Sequence, residues 1–204
     1  MSNHKLVIYI HGKGGDAKEA EHYKPLFKGY NVIGFDYEVQ EPWKVKEKLL
    51  DFYNLYSKEY KSIIIIANSI GAFFTMNSLF DKKIDKALFI SPIVNMENLI
   101  KNMMSIANVT ENELCNKKEI TTDFGETLSW EYLCYIRENP LIWNIPTYVL
   151  YGENDTFTSK DTMKEFIDKS GANLNVMKNG EHWFHTEEQM EYLDNWIKNI
   201  IMEF

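Results

Sequence analysis

SIIIIANSIGAFF, Ser62–Phe74, is the stretch from which the rest of the chain can be read. Four isoleucines without polar alternation run into a small-x-Ser-x-Gly pentapeptide, Ala67–Gly71, and an apolar helical pattern begins near Ile70. A buried strand, a tight turn carrying a serine and a helix starting right after Ser69 make the context that a G-x-S-x-G motif requires. Residues two before and two after the serine must be small, because a larger side chain in so tight a turn would strike the neighbouring strand or helix. Gly71 meets that demand fully and Ala67, standing in for the first glycine, nearly so. Without its flanks the same pentapeptide would read as an ordinary packed turn.

Similar apolar, β-branched runs lie on both sides of this one. KLVIYI (Lys5–Ile10) and NVIGFDY (Asn31–Tyr37) come before it, and KALFIS (Lys86–Ser91), PTYVLY (Pro146–Tyr151) and NLNVMK (Asn173–Lys178) after it. Runs with little polar alternation suit strands covered on both faces, and their alternation with helical segments predicts an open α/β fold, a mostly parallel sheet of about six strands flanked by helices. One helix begins at Pro42, a first-turn residue, and carries an apolar stripe of Trp43, Leu49, Leu50, Phe52, Tyr53 and Tyr56. Thr158 and Asp161 resemble a capping box, with Phe166 and Ile167 as the buried face behind it and Gly171 as the stop. A tail helix has Met190, Leu193, Ile197, Ile200 and Phe204 at helical spacing.

The alternation breaks between Asn95 and Asn144, where Met96, Met103 and Met104 lie in helical fragments, followed by the polar stretch Asn116–Glu126 and then Trp130–Ile136. No repeat or Gly/Ser linker marks a domain boundary. The chain therefore reads as one domain over 1–204, with a small helical cap over 95–144 inserted before the fifth strand. Met103, Met104, Phe124, Trp130, Tyr132 and Trp143 are the apolar residues of that region suited to line an acyl pocket, although such residues more often form core.

Composition excludes several functions. The 204 residues suffice for one sizeable core. With 22 basic against 30 acidic side chains, a formal charge of −8 repels nucleic acid, and no basic cluster offsets it. No apolar run nears the roughly 20 residues of a membrane span, and MSNHKL lacks the pattern of a leader, so a soluble cytoplasmic protein is expected. Cys115 and Cys134 are the only cysteines; reduced thiols are expected, and no metal site through them.

Two late stretches complete the chemistry begun at Ser69. GEND, Gly152–Asp155, and GEH, Gly180–His182, each follow an apolar run and give the order serine, acid, histidine. A serine hydroxyl is a poor nucleophile until an imidazole takes its proton, and the imidazole needs a carboxylate to fix its tautomer. A loop Asp beside Asn and Thr would by itself be a turn residue, and a lone His a solvated one. HGKGG, His11–Gly15, follows the first strand, and it has neither the G-K-[ST] ending nor the G-x-G-x-x-G spacing of a nucleotide site.

In these motifs, and across nearly the whole length outside 95–144, the chain resembles the α/β-hydrolases. The resemblance implies Ser69 as nucleophile, Asp155 rather than Glu153 as triad acid, and His182 rather than His185 as base. It also makes His11–Gly15 the loop that donates one backbone N–H to an oxyanion, from Lys13, the second donor being the Ile70 N–H. His11 then becomes structural, Asp36 a turn or cap acceptor, and His4 and His22 surface residues. The family's sheet usually opens with antiparallel strands ahead of the HG motif, so a sheet shortened to about six strands is expected. The implied activity is hydrolysis of a carboxylic ester through an acyl-enzyme on a small-molecule acyl substrate, without metal or cofactor. The same triad also serves thioester, amide or carbon–carbon cleavage, and the fold hosts non-catalytic binding modules. The substrate and the oligomeric state are not legible.

Overall fold

The run of isoleucines forms a strand because β-branched side chains are stiff at χ1 and pack well on a pleated surface. Ile63 to Ile66 are all at most 3% exposed. A computed structural model describes residues 5–202. His4 and Phe204, read above as a surface residue and as the end of a helical stripe, lie outside the described residues.

In chain order the first half comprises β1 (Lys5–Ile10), a short 3₁₀ turn, α1 (Ala20–Tyr23), β2 (Asn31–Phe35), α2 (Pro42–Tyr56), β3 (Ser62–Asn68), α3 (Ile70–Leu79) and β4 (Lys86–Ile90). There follow α4 (Met96–Ile106), α5 (Glu111–Lys117), β5 (Glu119–Thr121), β6 (Thr127–Ser129) and α6 (Trp130–Glu138). The chain ends with β7 (Thr147–Gly152), α7 (Lys160–Ser170), β8 (Asn173–Met177) and α8 (Glu187–Met202).

Six strands form one sheet in the order β2-β1-β3-β4-β7-β8, every neighbouring pair parallel. On one face, Val7, Tyr9, Ile64, Ile66, Leu88, Ile90 and Leu150 pack with α1 and with Leu193, Trp196, Ile197 and Ile200 of α8. The other face receives α3, which touches β1 and β3 and is covered in turn by α2. Sandwiched there, α3 is buried from Gly71 to Leu79, mostly apolar, with the buried polar groups of Thr75 and Asn77 donating to Gly71 O at 2.8 Å and Pro42 O at 3.3 Å. Because β1 steps outward to β2 and the chain then returns to β3, the order reverses between β1 and β3. Open parallel sheets bind their ligands at the carboxyl ends of the strands beside such a switch point.

Several local expectations are corrected. β8 is not covered on both faces: it is an edge strand, with Leu174 41% and Val176 45% exposed. The cap of α7 is Ser159, whose Oγ accepts from the Thr162 N–H at 3.1 Å, and not Thr158, which is turned inward. The buried member of α7 is Met163, while Phe166 and Ile167 are only partly buried. In α2 the inner line is Pro42, Val45, Leu49 and Tyr53, and the other aromatics of the expected stripe sit at its margin.

Two compact units divide the chain, Asn95–Leu141 and the remainder. The smaller unit has its own buried residues, Ile100, Met104, Leu114, Leu128 and Leu133. Its helices are capped by Asn95, Thr110 and Ser129, and its polar stretch runs from the end of α5 through β5 to the turn before β6, with which β5 pairs antiparallel. Arg137 of α6 ties α4 to α5, donating to Glu97 at 2.9 Å and to both oxygens of Glu111 at 2.6 and 2.9 Å. Trp143 belongs to the larger unit and is core, its Nε1–H donating to Thr147 at 2.7 Å and its ring tilted on Phe89. It therefore lines no acyl pocket.

Candidate active site

Ser69 is the single residue between β3 and α3, and it has φ 52° and ψ −119°. For a residue with a Cβ this left-handed half of the map costs about 1–3 kcal/mol, a strain that surrounding structure must hold in place. Three main-chain bonds hold it: Ser69 N–H donates to Ile90 O at 2.9 Å, and Ser69 O accepts from Ala72 N–H and Ile93 N–H, both at 3.1 Å. The turn stays tight because Gly71 abuts β1: a Cβ there would lie 2.4 Å from His11 O and 2.6 Å from Ile10 O.

Asp155 follows β7 and His182 follows β8, and both loops lie at the same carboxyl edge of the sheet as Ser69. Across three strand spacings β8 is about 14 Å from β3, so the late loops must fold back over the edge to reach the serine. They do so as one piece. Asn154 N–H donates to Gly180 O at 2.8 Å and Glu153 N–H to Met177 O at 3.0 Å. Gly152 keeps the two loops this close, since a Cβ on it would meet Glu181 O at 2.4 Å. Its φ is not positive, so close approach of the loops, and not a special turn, is what excludes a side chain here.

The side chains meet in series. Ser69 Oγ lies 2.8 Å from His182 Nε2, and His182 Nδ1 lies 2.7 Å from Asp155 Oδ2. A carboxylate only accepts, so Nδ1 carries the hydrogen and Nε2 presents its lone pair to the serine hydroxyl. Asp155 Oδ1 accepts from the N–H groups of Phe157 at 2.8 Å and Thr158 at 3.1 Å, which aims Oδ2 at the imidazole. The Asp155 side chain is fully covered, while that of His182 keeps 16% of its surface. Thr158, buried, donates its hydroxyl to Pro92 O at 3.0 Å and accepts from Tyr151 at 2.7 Å. The loop after β4 thus braces Asp155 through Pro92 and Ser69 through Ile93.

His11–Gly15 lies against the serine, with a Cβ on Gly12 placed 3.3 Å from Ser69 Cβ. His11 is buried and structural: its Nδ1–H donates to Gly12 O at 2.7 Å, and its ring stacks on Tyr37 at 4.1 Å. Tyr37 donates to His11 O at 2.6 Å, and burial pushes its hydroxyl pKa up, keeping it a donor. Ile70 opens α3, and N–H groups of a helix's first turn have no partner within the helix. Lys13 occupies the loop beside Gly12 with an exposed side chain.

The alternatives lie elsewhere. His185 donates Nδ1–H to Trp183 O at 2.8 Å and stacks on the Trp183 ring. Glu153 accepts from Asn179 N–H at 3.2 Å, and that bond, with Lys160 beside it, holds its carboxyl below the usual range. Asp36 is largely exposed, 3.5 Å from His11 Nε2, and the exposed His22 pairs with Asp194 at 2.7 Å. Sequence reading missed Phe157, whose ring lies 4.6 Å from the imidazole of His182, and the bracing role of Thr158. The signal for the latter was the turn chemistry of Asp155–Thr158, where an Asp oxygen typically accepts from N–H groups two and three residues on.

No family model matches the chain. The Mycoplasma genitalium protein named "Putative esterase/lipase 3" is 26% identical over 195 aligned positions, covering 79% of this chain and 71% of that one. Among solved structures, Est1E from Butyrivibrio proteoclasticus superposes with a TM-score of 0.74 at 15% identity, covering 100% of this chain and 89% of that one. Alpha/beta hydrolase domain-containing protein 10 from mouse gives 0.73 at 16%, covering 97% and 90%. A thioesterase domain from the curacin biosynthetic pathway gives 0.57 at 14%, covering 97% and 92%. The chain has the α/β-hydrolase fold. Among the described residues no helix is long and apolar enough to cross a membrane.

Proposed function

We propose that this protein is a serine hydrolase that cleaves a carboxylic ester of a small molecule. The observation that carries the reading is the run of two short contacts from Ser69 through His182 to Asp155, 2.8 and 2.7 Å long. Ser69 Oγ attacks the carbonyl carbon while its proton passes to His182 Nε2, and Asp155 stabilises the imidazolium. The oxyanion so formed faces the backbone N–H groups of Lys13 and Ile70; losing one such donor typically costs about 2.7–4 kcal/mol of transition-state stabilisation. The carbon–oxygen bond then breaks, and Nε2 returns the proton to the departing alcohol. Water attacks the acyl-serine by the same route in reverse, releasing the acid and restoring the hydroxyl. The chemistry calls for no metal or cofactor, and we take the protein to work in the cytoplasm.

Ser69→Ala tests this. Fluorophosphonate labelling is expected to vanish and kcat to fall about 10⁴- to 10⁶-fold; unchanged labelling overturns the assignment. The thioesterase domain among the similar structures favours a second reading, in which the same residues cleave a thioester. An acyl-CoA hydrolysed well beside simple esters that are ignored would establish it, and absence of any adduct on folded protein would favour a binding module.

A further inference from the structure

Phe157 is a large apolar side chain left 52% exposed, and its ring lies beside the imidazole of His182, centroids 4.6 Å apart and planes at 47°. Its backbone is pinned. Phe157 N–H donates at 2.8 Å to the same carboxylate that receives the His182 hydrogen. The next residue, Thr158, is buried and bonded to Asp155, Pro92 and Tyr151. A phenyl ring fixed at its base, half bare and packed on the proton-carrying group is poised for an apolar partner, since removing apolar surface from water is favourable. The core makes no use of its exposed half.

Proton transfer decides which part of a substrate meets that ring. His182 Nε2 must come within about 3 Å of the departing oxygen to protonate it. The carbons bonded to that oxygen therefore lie alongside the imidazole, where Phe157 is. The acyl carbonyl is bonded to Ser69 Oγ at this stage, with its oxygen toward the Gly12 loop. Resting on the serine-hydrolase reading above, we propose that Phe157 is a specificity-determining residue for the alcohol portion of the ester, and that the enzyme selects esters of apolar, ring-bearing alcohols.

Two ratios of kcat/KM test this: benzyl acetate over methyl acetate reports the alcohol side, and methyl butyrate over methyl acetate the acyl side. Benzyl alcohol and methanol are of nearly equal acidity, so intrinsic leaving ability drops out. Phe157→Ala is expected to lower the alcohol ratio about tenfold or more, the scale that a few lost carbon contacts produce, with the acyl ratio unmoved and Phe157→Leu intermediate. Inhibition by benzyl alcohol should weaken in parallel. If the acyl ratio falls while the alcohol ratio stays, or if neither moves, the proposal is overturned; so is it if benzyl alcohol inhibits both enzymes alike. Should Phe157→Ala fail to fold, Phe157→Leu and its inhibition constant decide the matter. Turnover retained by Ser69→Ala would count against the hydrolase reading itself, whereas unmoved ratios beside an inactive Ser69→Ala count against this inference alone.

Discussion

At Asp155 the two carboxylate oxygens have different work. Oδ1 accepts two N–H groups of its own loop and Oδ2 accepts from His182, so the loop that holds the acid also aims it. Asp155→Asn preserves the loop bonds through its carbonyl oxygen but presents an NH₂ to Nδ1. The imidazole then takes the other tautomer and turns an N–H toward Ser69. A fall in kcat of about 10⁴-fold is expected, with near-UV circular dichroism unchanged. Glu153→Gln, two residues away, is the matched control: Glu153 serves Asn179 and Lys160, so rates on benzyl acetate should stay close to wild type.

Between elements, the decisive contact is the one that joins the β7 and β8 loops. Gly152→Ala would drive a methyl group to 2.4 Å from Glu181 O, next to His182 in the chain. Overpacking of this kind typically costs about 1–3 kcal/mol, and here it should reduce activity more than stability, because the strand ends can give way only by moving the histidine loop. A melting curve and a kcat on the same sample check it. In the smaller unit, Arg137 predicts a pH dependence. Its guanidinium holds the Glu111 carboxyl below the usual range and, after Lys101, does the same to Glu97. Groups whose folded pKa lies below the unfolded value of about 4.3 stabilise fully above that pH and lose the effect as pH falls through the folded value. Arg137→Ala should therefore melt below wild type at pH 6, and the gap should close toward pH 3. What sequence reveals is what short-range pattern encodes: the six strands, the turn at Ser69 and the order Ser69, Asp155, His182 are each marked within a few residues. The exposure of β8, the inward turn of Thr158 and the seat of Phe157 depend on neighbours distant in sequence, which no local pattern carries.

For the molecule as a whole, the sheet brings residues separated by up to 113 positions to one edge, and the core beneath it keeps them there. That core also sustains Ser69 in a backbone state its side chain disfavours. The placement of Ser69 is thus a standing load on the native state, borne by contacts elsewhere. A glycine at position 69 would adopt the same φ and ψ without a Cβ to object. Compared with Ser69→Ala, which also lacks the hydroxyl, Ser69→Gly should unfold at a higher temperature; an equal or lower midpoint would mean the turn is relaxed. If the difference appears, a Cβ at this one residue weakens the fold, and a serine must carry that Cβ to present its hydroxyl: the atom that holds the reactive group is kept at the expense of thermal endurance.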